Sequence, residues 1–157
     1  MPSMEVVNVL GEEWDPGQWP EHENYEKRWR RVGERLGGEL LGGTVYELPP
    51  GKKSFPFHWH HGVEELLVVL EGEPTLRTTD GEQQLKRGDA VSFTTGSQGA
   101  HQLRNETDAP ARYLMISTVV DYEVAHYPDS GKVGILSKDF RLVVRSDSQV
   151  DYMDGED

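Results

Sequence analysis

Between Gly42 and about Val120 the sequence falls into short strand-like runs parted by turn signals every 8–12 residues. That spacing is the mark of an all-β sandwich or barrel. The expected strands are Gly43–Leu48, Phe55–His60, Glu65–Glu71, Thr75–Thr79, Glu82–Leu85, Ala90–Phe93, Ala100–Asn105 and Ala111–Val120. Gly72-Glu73-Pro74 bends the chain, and Asp80-Gly81 is a two-residue hairpin signal. Arg87-Gly88-Asp89 and Asp108-Ala109-Pro110 are further turns. Glu65–Glu71 is apolar at nearly every interior position, which predicts a strand covered on both faces. The barrel interior supplies one cover. A second sheet, the N-terminal arm or a partner subunit supplies the other.

The flanks are less regular. Residues 1–41 read as an arm that packs on the barrel or on a partner. Val6–Leu10 is a short strand candidate, and Glu12–Pro20 carries Trp14, Trp19 and two prolines. Tyr25–Leu36 is a charged short helix or loop, with Arg28, Arg30, Arg31 and Arg35 either on a solvated face balanced by glutamates or at an anion contact; the first is preferred. Residues 42–120 form the barrel and 121–157 an extension. In that extension Tyr127–Lys132 is a turn, Phe140–Val144 one more strand, and the acidic end from Asp147 a fraying tail.

Composition narrows the chemistry. The 157 residues suit one domain with its own core. There is no cysteine, so disulfides and thiolate metal sites are excluded, in keeping with a reducing cytoplasm. A formal net charge of −12 opposes contact with nucleic acid and favours solubility. The N-terminus has no signal-peptide pattern, and the longest apolar run, Leu66–Leu70, is far too short to span a bilayer.

The segment Phe57-His58-Trp59-His60-His61-Gly62-Val63-Glu64-Glu65 carries the chemistry. On a strand, residues two apart share a face, so His58 and His60 reach one ion while Trp59 points to the other side as core. His61-Gly62-Val63 turns the chain and sets Glu65 beside the pair. His101 follows the glycine-containing loop Thr94–Gly99 and supplies a fourth donor. Three imidazoles and a carboxylate suit a first-row divalent ion with positions left for water or substrate. Iron, manganese, nickel, cobalt, copper and zinc all remain open.

These residues resemble two motifs of the cupin superfamily. Gly51, His58, His60, Glu65 and Gly72 match the first, and Gly88, Gly96, His101 and Asn105 match the second. Glu65 rather than Glu64 is the match because six residues separate it from Gly72. Six residues rather than five separate Gly51 from His58, Thr94 replaces the usual proline, and the Gly96–His101 gap is extended. These departures lie in loops, where insertions are tolerated. The resemblance implies a double-stranded β-helix, or jelly-roll barrel, with a metal at its mouth, and a homodimer with exchanged N-terminal strands. It further implies a metal-dependent enzyme of dioxygenase, isomerase or decarboxylase type acting on a small molecule, or a non-catalytic module that binds or senses a small ligand. No catalytic base is named. Glu64 reads as an exposed neighbour of the ligands in preference to a base beside them, His61 as a loop residue in preference to an alternative ligand, and Asn105 as a turn cap in preference to orienting the site. Phe55, Phe57, Trp59 and Phe93 read as core in preference to lining a substrate pocket. His22 and His126 receive no role.

Overall fold

A computed structural model describes residues 4–17 and 22–156. Its strands are β1 (Arg28–Arg31), β2 (Leu41–Leu48), β3 (Trp59–His60), β4 (Glu65–Glu71), β5 (Thr75–Thr78), β6 (Gly81–Gln84), β7 (Ala90–Phe93), β8 (His101–Arg104), β9 (Ala111–Thr118), β10 (Tyr122–Tyr127), β11 (Lys132–Ser137) and β12 (Arg141–Arg145). Among the described residues the single α-helix is one turn, α1 (Val32–Arg35). All strand pairs are antiparallel and form three sheets, ordered β1-β2-β9-β4-β7, β12-β11-β10-β3 and β6-β5-β8.

The all-β expectation holds, and its physical basis is visible in β2, β4 and β9. Inward side chains alternate with outward ones along each strand. Leu48, Leu67, Val69, Tyr113 and Met115 from the five-stranded sheet meet Leu76 and Leu103 from the three-stranded sheet in one buried cluster, joined by Leu85 and Phe93. Gly72 ends β4 with φ +75°, and a Cβ there would lie 2.7 Å from the Pro110 carbonyl oxygen. Only glycine lets β4 turn that close to the start of β9.

Several sequence expectations need correction. Val6–Leu10 forms no strand and ends in a turn. Tyr25–Leu36 holds β1 and α1 rather than a helix or loop alone, because Arg28–Arg31 pairs with Thr44–Glu47 of β2. Phe55–His60 is a regular strand only at Trp59–His60; His58 makes an isolated bridge instead. Within the chain, strand β4 is fully covered on its inner face, where Leu67 and Val69 are buried, but only in part on its outer face, where Leu66 is 39% exposed. Strands β10 and β11 were not foreseen, because Glu123, His126 and Gly134 interrupt their apolar alternation. Trp59 is half-buried and stacks on His126 outside the core, with ring centroids 4.2 Å apart. Trp19 lies outside the described residues.

The arginines of the N-terminal segment are structural partners rather than a free basic patch. Arg28 binds Glu47, Arg31 faces Glu34, and Arg35 binds Asp15, while Arg30 donates to the Asn8 carbonyl. Arg112 of β9 donates to both carboxylate oxygens of Glu12 at 2.7 and 2.8 Å and to Glu47 at 2.6 Å. This fork ties the N-terminal segment to the five-stranded sheet.

Candidate metal centre

The histidine cluster is assembled by backbone pairing. His58 N–H donates to the His101 carbonyl at 3.2 Å, and His101 N–H returns a bond to the His58 carbonyl at 2.9 Å. This reciprocal exchange puts the two side chains next to each other, with ring centroids 4.7 Å apart. His60 sits on β3 opposite Ala125 of β10. Glu65 opens β4, between Phe93 of β7 and Ser117 of β9.

The loop before His101 depends on Gly99. A Cβ there would overlap the Thr94 carbonyl oxygen, so the loop closes on itself only with glycine at that place. His101 is then clamped by Phe93, whose ring stacks on the imidazole at 3.8 Å.

Donor atoms from His58, His60 and Glu65 all lie within 4.8 Å of one another. His101 approaches this trio through Glu65: its Nε2 is 3.2 Å from Glu65 Oε2. His60 Nε2 is 3.4 Å from the same oxygen. Donors bound to one ion at about 2.0–2.2 Å are themselves separated by about 3 Å or slightly more, so these gaps are those of ligands facing a shared centre.

The hydrogen-bond pattern tests that fit independently. His58 Nδ1 donates to the Pro56 carbonyl at 2.8 Å, and His101 Nδ1 donates to the Gly99 carbonyl at 2.9 Å. A carbonyl only accepts, so both Nδ1 atoms carry a proton, and in the neutral ring it is Nε2 that faces an ion with its lone pair. His60 Nε2 and Glu65 Oε2 are buried without an aligned hydrogen bond. Buried polar atoms are rarely left so, and a cation at the centre satisfies them together. The donor set fits a divalent transition metal.

At His58 and Glu65 the electrostatics agree with that fit, whereas at His60 an ion competes with a proton. Burial, reinforced by the neighbouring His101 and His60, pushes the His58 imidazole down to about 3 and keeps it neutral. Burial alone lowers His60 as well, but Glu65 and Glu123 outweigh it and hold this ring above its ordinary value. Burial raises Glu65, yet the adjacent His101 and His60 dominate and hold its carboxyl well below the usual carboxylate range. Neutral imidazole and ionised carboxylate are the metal-binding forms.

Glu123 was missed by sequence reasoning. It lies on the unforeseen β10, is buried, and sets Oε1 3.4 Å from His60 Nδ1. The same carboxylate accepts the N–H groups of His61 and Gly62, fixing the turn that follows the His-x-His pair. Only its short separation from Tyr122 and Val124 in an alternating run signalled an inward carboxylate. Glu64 is exposed and His61 lies in the turn, as expected. Asn105 caps its turn: Nδ2 donates to the Leu48 and Ala109 carbonyls, and Oδ1 accepts from Thr107.

The donors line a pocket of about 370 Å3. Tyr46, Phe55, Met115, Leu136 and Val143 give it mainly apolar walls, so Phe55 belongs to the pocket, whereas Phe57 and Phe93 are buried. Among the described residues, no helix is long and apolar enough to cross a membrane.

This architecture is shared with known structures. A sugar phosphate isomerase from a cupin superfamily, from Silicibacter pomeroyi, is 30% identical, with 82% of each chain covered and a TM-score of 0.75. The chain belongs to the cupin superfamily. The Cupin domain family model matches residues 44–117 of this cupin. A protein from Acidithiobacillus ferrooxidans provisionally named a sugar phosphate isomerase is 25% identical over 80% of each chain, with a TM-score of 0.74. The polyketide cyclase RemF from Streptomyces resistomycificus, at 20% identity, shares the fold, with a TM-score of 0.60 over 74% of this cupin and 80% of that chain. No curated protein matches. The double-stranded β-helix implied by the sequence motifs is therefore the fold of this chain.

Proposed function

We propose that this cupin is a metal-dependent isomerase of a small hydroxy-carbonyl compound, with His58, His60, Glu65 and His101 as ligands of one divalent ion. The observation that carries the metal reading is the buried, unsatisfied donor pair, His60 Nε2 and Glu65 Oε2, lining a mainly apolar-walled pocket. Isomerisation is preferred over dioxygenase or decarboxylase chemistry because of the likeness to the Silicibacter pomeroyi protein over most of both chains. A bound ion supplies Lewis-acid polarisation of a substrate oxygen.

The chain's own residues prepare that step. His58 and His101 are oriented by their carbonyl partners, and Glu123 faces the rear nitrogen of His60, so the donors are set before substrate arrives. Apolar walls limit water around the reacting carbons. Burial pushes the Tyr46 hydroxyl up to about 12, so it keeps its proton and serves as a donor towards a substrate oxygen. The general base is not assigned.

A cytoplasmic homodimer completes the reading. Leu41 and Leu66 share the outer face of the five-stranded sheet by register and are 59% and 39% exposed. A second copy is the natural cover for them.

The test is a panel of aldoses, ketoses and their phosphates, incubated with protein carrying each first-row divalent metal and followed by NMR. The expected result is interconversion of an aldose–ketose pair without oxygen uptake, abolished by a chelator and restored by added metal. Oxygen consumption with a diketone or phenol would replace isomerase by dioxygenase. Tight binding of a small ligand without turnover would replace it by a sensing module.

A further inference from the structure

Part of the pocket wall is built by the C-terminal strands. Lys132 opens β11 and Arg141 opens β12, and both line the pocket. Alternation along β11 places Lys132, Gly134 and Leu136 on one face. Across the β11–β12 pair, Arg141 stands opposite Leu136, and Val143 stands opposite Gly134. Leu136, Val143 and the two cations thus form one continuous surface turned to the pocket. Lys132 also pairs with Tyr127 of β10, and its Nζ lies 5.5 Å from that ring's centroid. The Tyr127 ring in turn stacks near His58, at 6.1 Å. A contiguous path therefore runs from the ammonium to the donor cluster.

The charges are unusual for this chain. With 28 acidic and 16 basic side chains, carboxylates are in excess, and Arg28, Arg31, Arg35, Arg77, Arg104 and Arg112 all make ion pairs. None of those six lines the pocket, whereas Lys132 and Arg141, which do, make no ion pair among the described residues. A protein of net charge −12 repels anionic ligands at long range. Two unpaired cations at the pocket reverse that field locally, and a neutral ligand needs neither.

We propose that Lys132 and Arg141 form an anion clamp that holds the phosphate of a small phosphate monoester while the rest of the molecule reaches the histidine–glutamate cluster. The proposal rests on the metal-pocket reading and adds the chemical class of the substrate. A phosphate monoester carries nearly two negative charges at neutral pH, which two cations balance. The guanidinium offers a planar fork to two phosphate oxygens and the ammonium a point charge to the third. Leu136 and Val143, on the same pocket-facing surface, contact the carbon chain. The C-terminal strands thereby become part of the binding site rather than an appendage to the barrel.

Calorimetry with the full chain tests this, using inorganic phosphate, glycerol phosphate, glycerate and glycerol as probes, with the metal either loaded or removed by a chelator. Inorganic phosphate and glycerol phosphate are expected to bind both forms, glycerate at least tenfold more weakly, and glycerol not measurably. Lys132→Met and Arg141→Gln should each weaken phosphate binding by about tenfold or more, and the double variant should abolish it, with metal content unchanged. Loss of phosphate binding on chelation would overturn the clamp, because the anion would then sit on the metal. Unaltered phosphate affinity in the double variant, or glycerate binding as tightly as glycerol phosphate, would also overturn it. Failure of the metal reading looks different: no metal would load, yet phosphate would still bind and still respond to both substitutions.

Discussion

His58 is the residue at which burial and chemistry are most tightly joined. Its ring is 8% exposed, and desolvation favours the neutral form that a metal requires. In the unfolded chain the same imidazole titrates near 6.5, whereas in the fold it is pushed down to about 3. Between those values the unfolded state binds the extra proton, so His58 lowers stability as pH falls from about 6.5 towards about 3, by up to about 1.4 kcal/mol per pH unit. His60 acts with the opposite sign: its raised value stabilises the metal-free fold below pH 6.5, and that contribution is lost as pH rises through its folded value. NMR titration of the metal-free protein should find His58 still neutral at pH 5 and His60 protonating above 6.5. A His58 ring that protonates at its ordinary value would mean that the site is open to water. At this scale the sequence was informative about donor type and uninformative about support. The His-x-His spacing, Glu65 and His101 stand out in the chain, while Glu123 does not, because its partner in space is 63 positions away in sequence.

Strands show the same division. Sequence reading found β4 at its observed bounds, because Glu65–Glu71 is an unbroken β-favouring run between a turn and Gly72. It left the strand's outer cover open between a second sheet, the N-terminal arm and a partner subunit, since an apolar run does not reveal what its outer face meets. The structure makes a sharp distinction between adjacent leucines. Leu67→Ala should cost about 2–5 kcal/mol, as a fully buried core truncation does. Leu66→Ala should cost less than about 1 kcal/mol in the monomer, since its side chain is partly exposed. Chemical denaturation of both variants at several protein concentrations checks this. A large, concentration-dependent cost at Leu66 would show that a second copy covers that face. The strands that escaped the sequence reading, β10 and β11, are those whose inward positions serve the site rather than the core. Glu123 turns to His60 and Lys132 to the pocket, so the apolar alternation that betrays a strand is broken by polar groups facing the cavity.

The whole molecule is organised so that distant segments converge on one cavity. Residues 58–65 bring three donors, His101 comes from β8, and the C-terminal sheet brings Glu123, Lys132 and Arg141. The N-terminal segment contributes through Arg112, whose fork to Glu12 and Glu47 anchors it on the five-stranded sheet. The central claim is that this convergence exists to hold one metal ion. It is tested most directly by elemental analysis of protein purified without a polyhistidine tag, alongside a His58→Ala/His60→Ala double variant whose fold is verified by circular dichroism. The expected result is close to one divalent transition metal per chain in the natural sequence and almost none in the variant. Equal metal content in the two proteins, or none in the natural sequence after incubation with each first-row divalent ion, would contradict it.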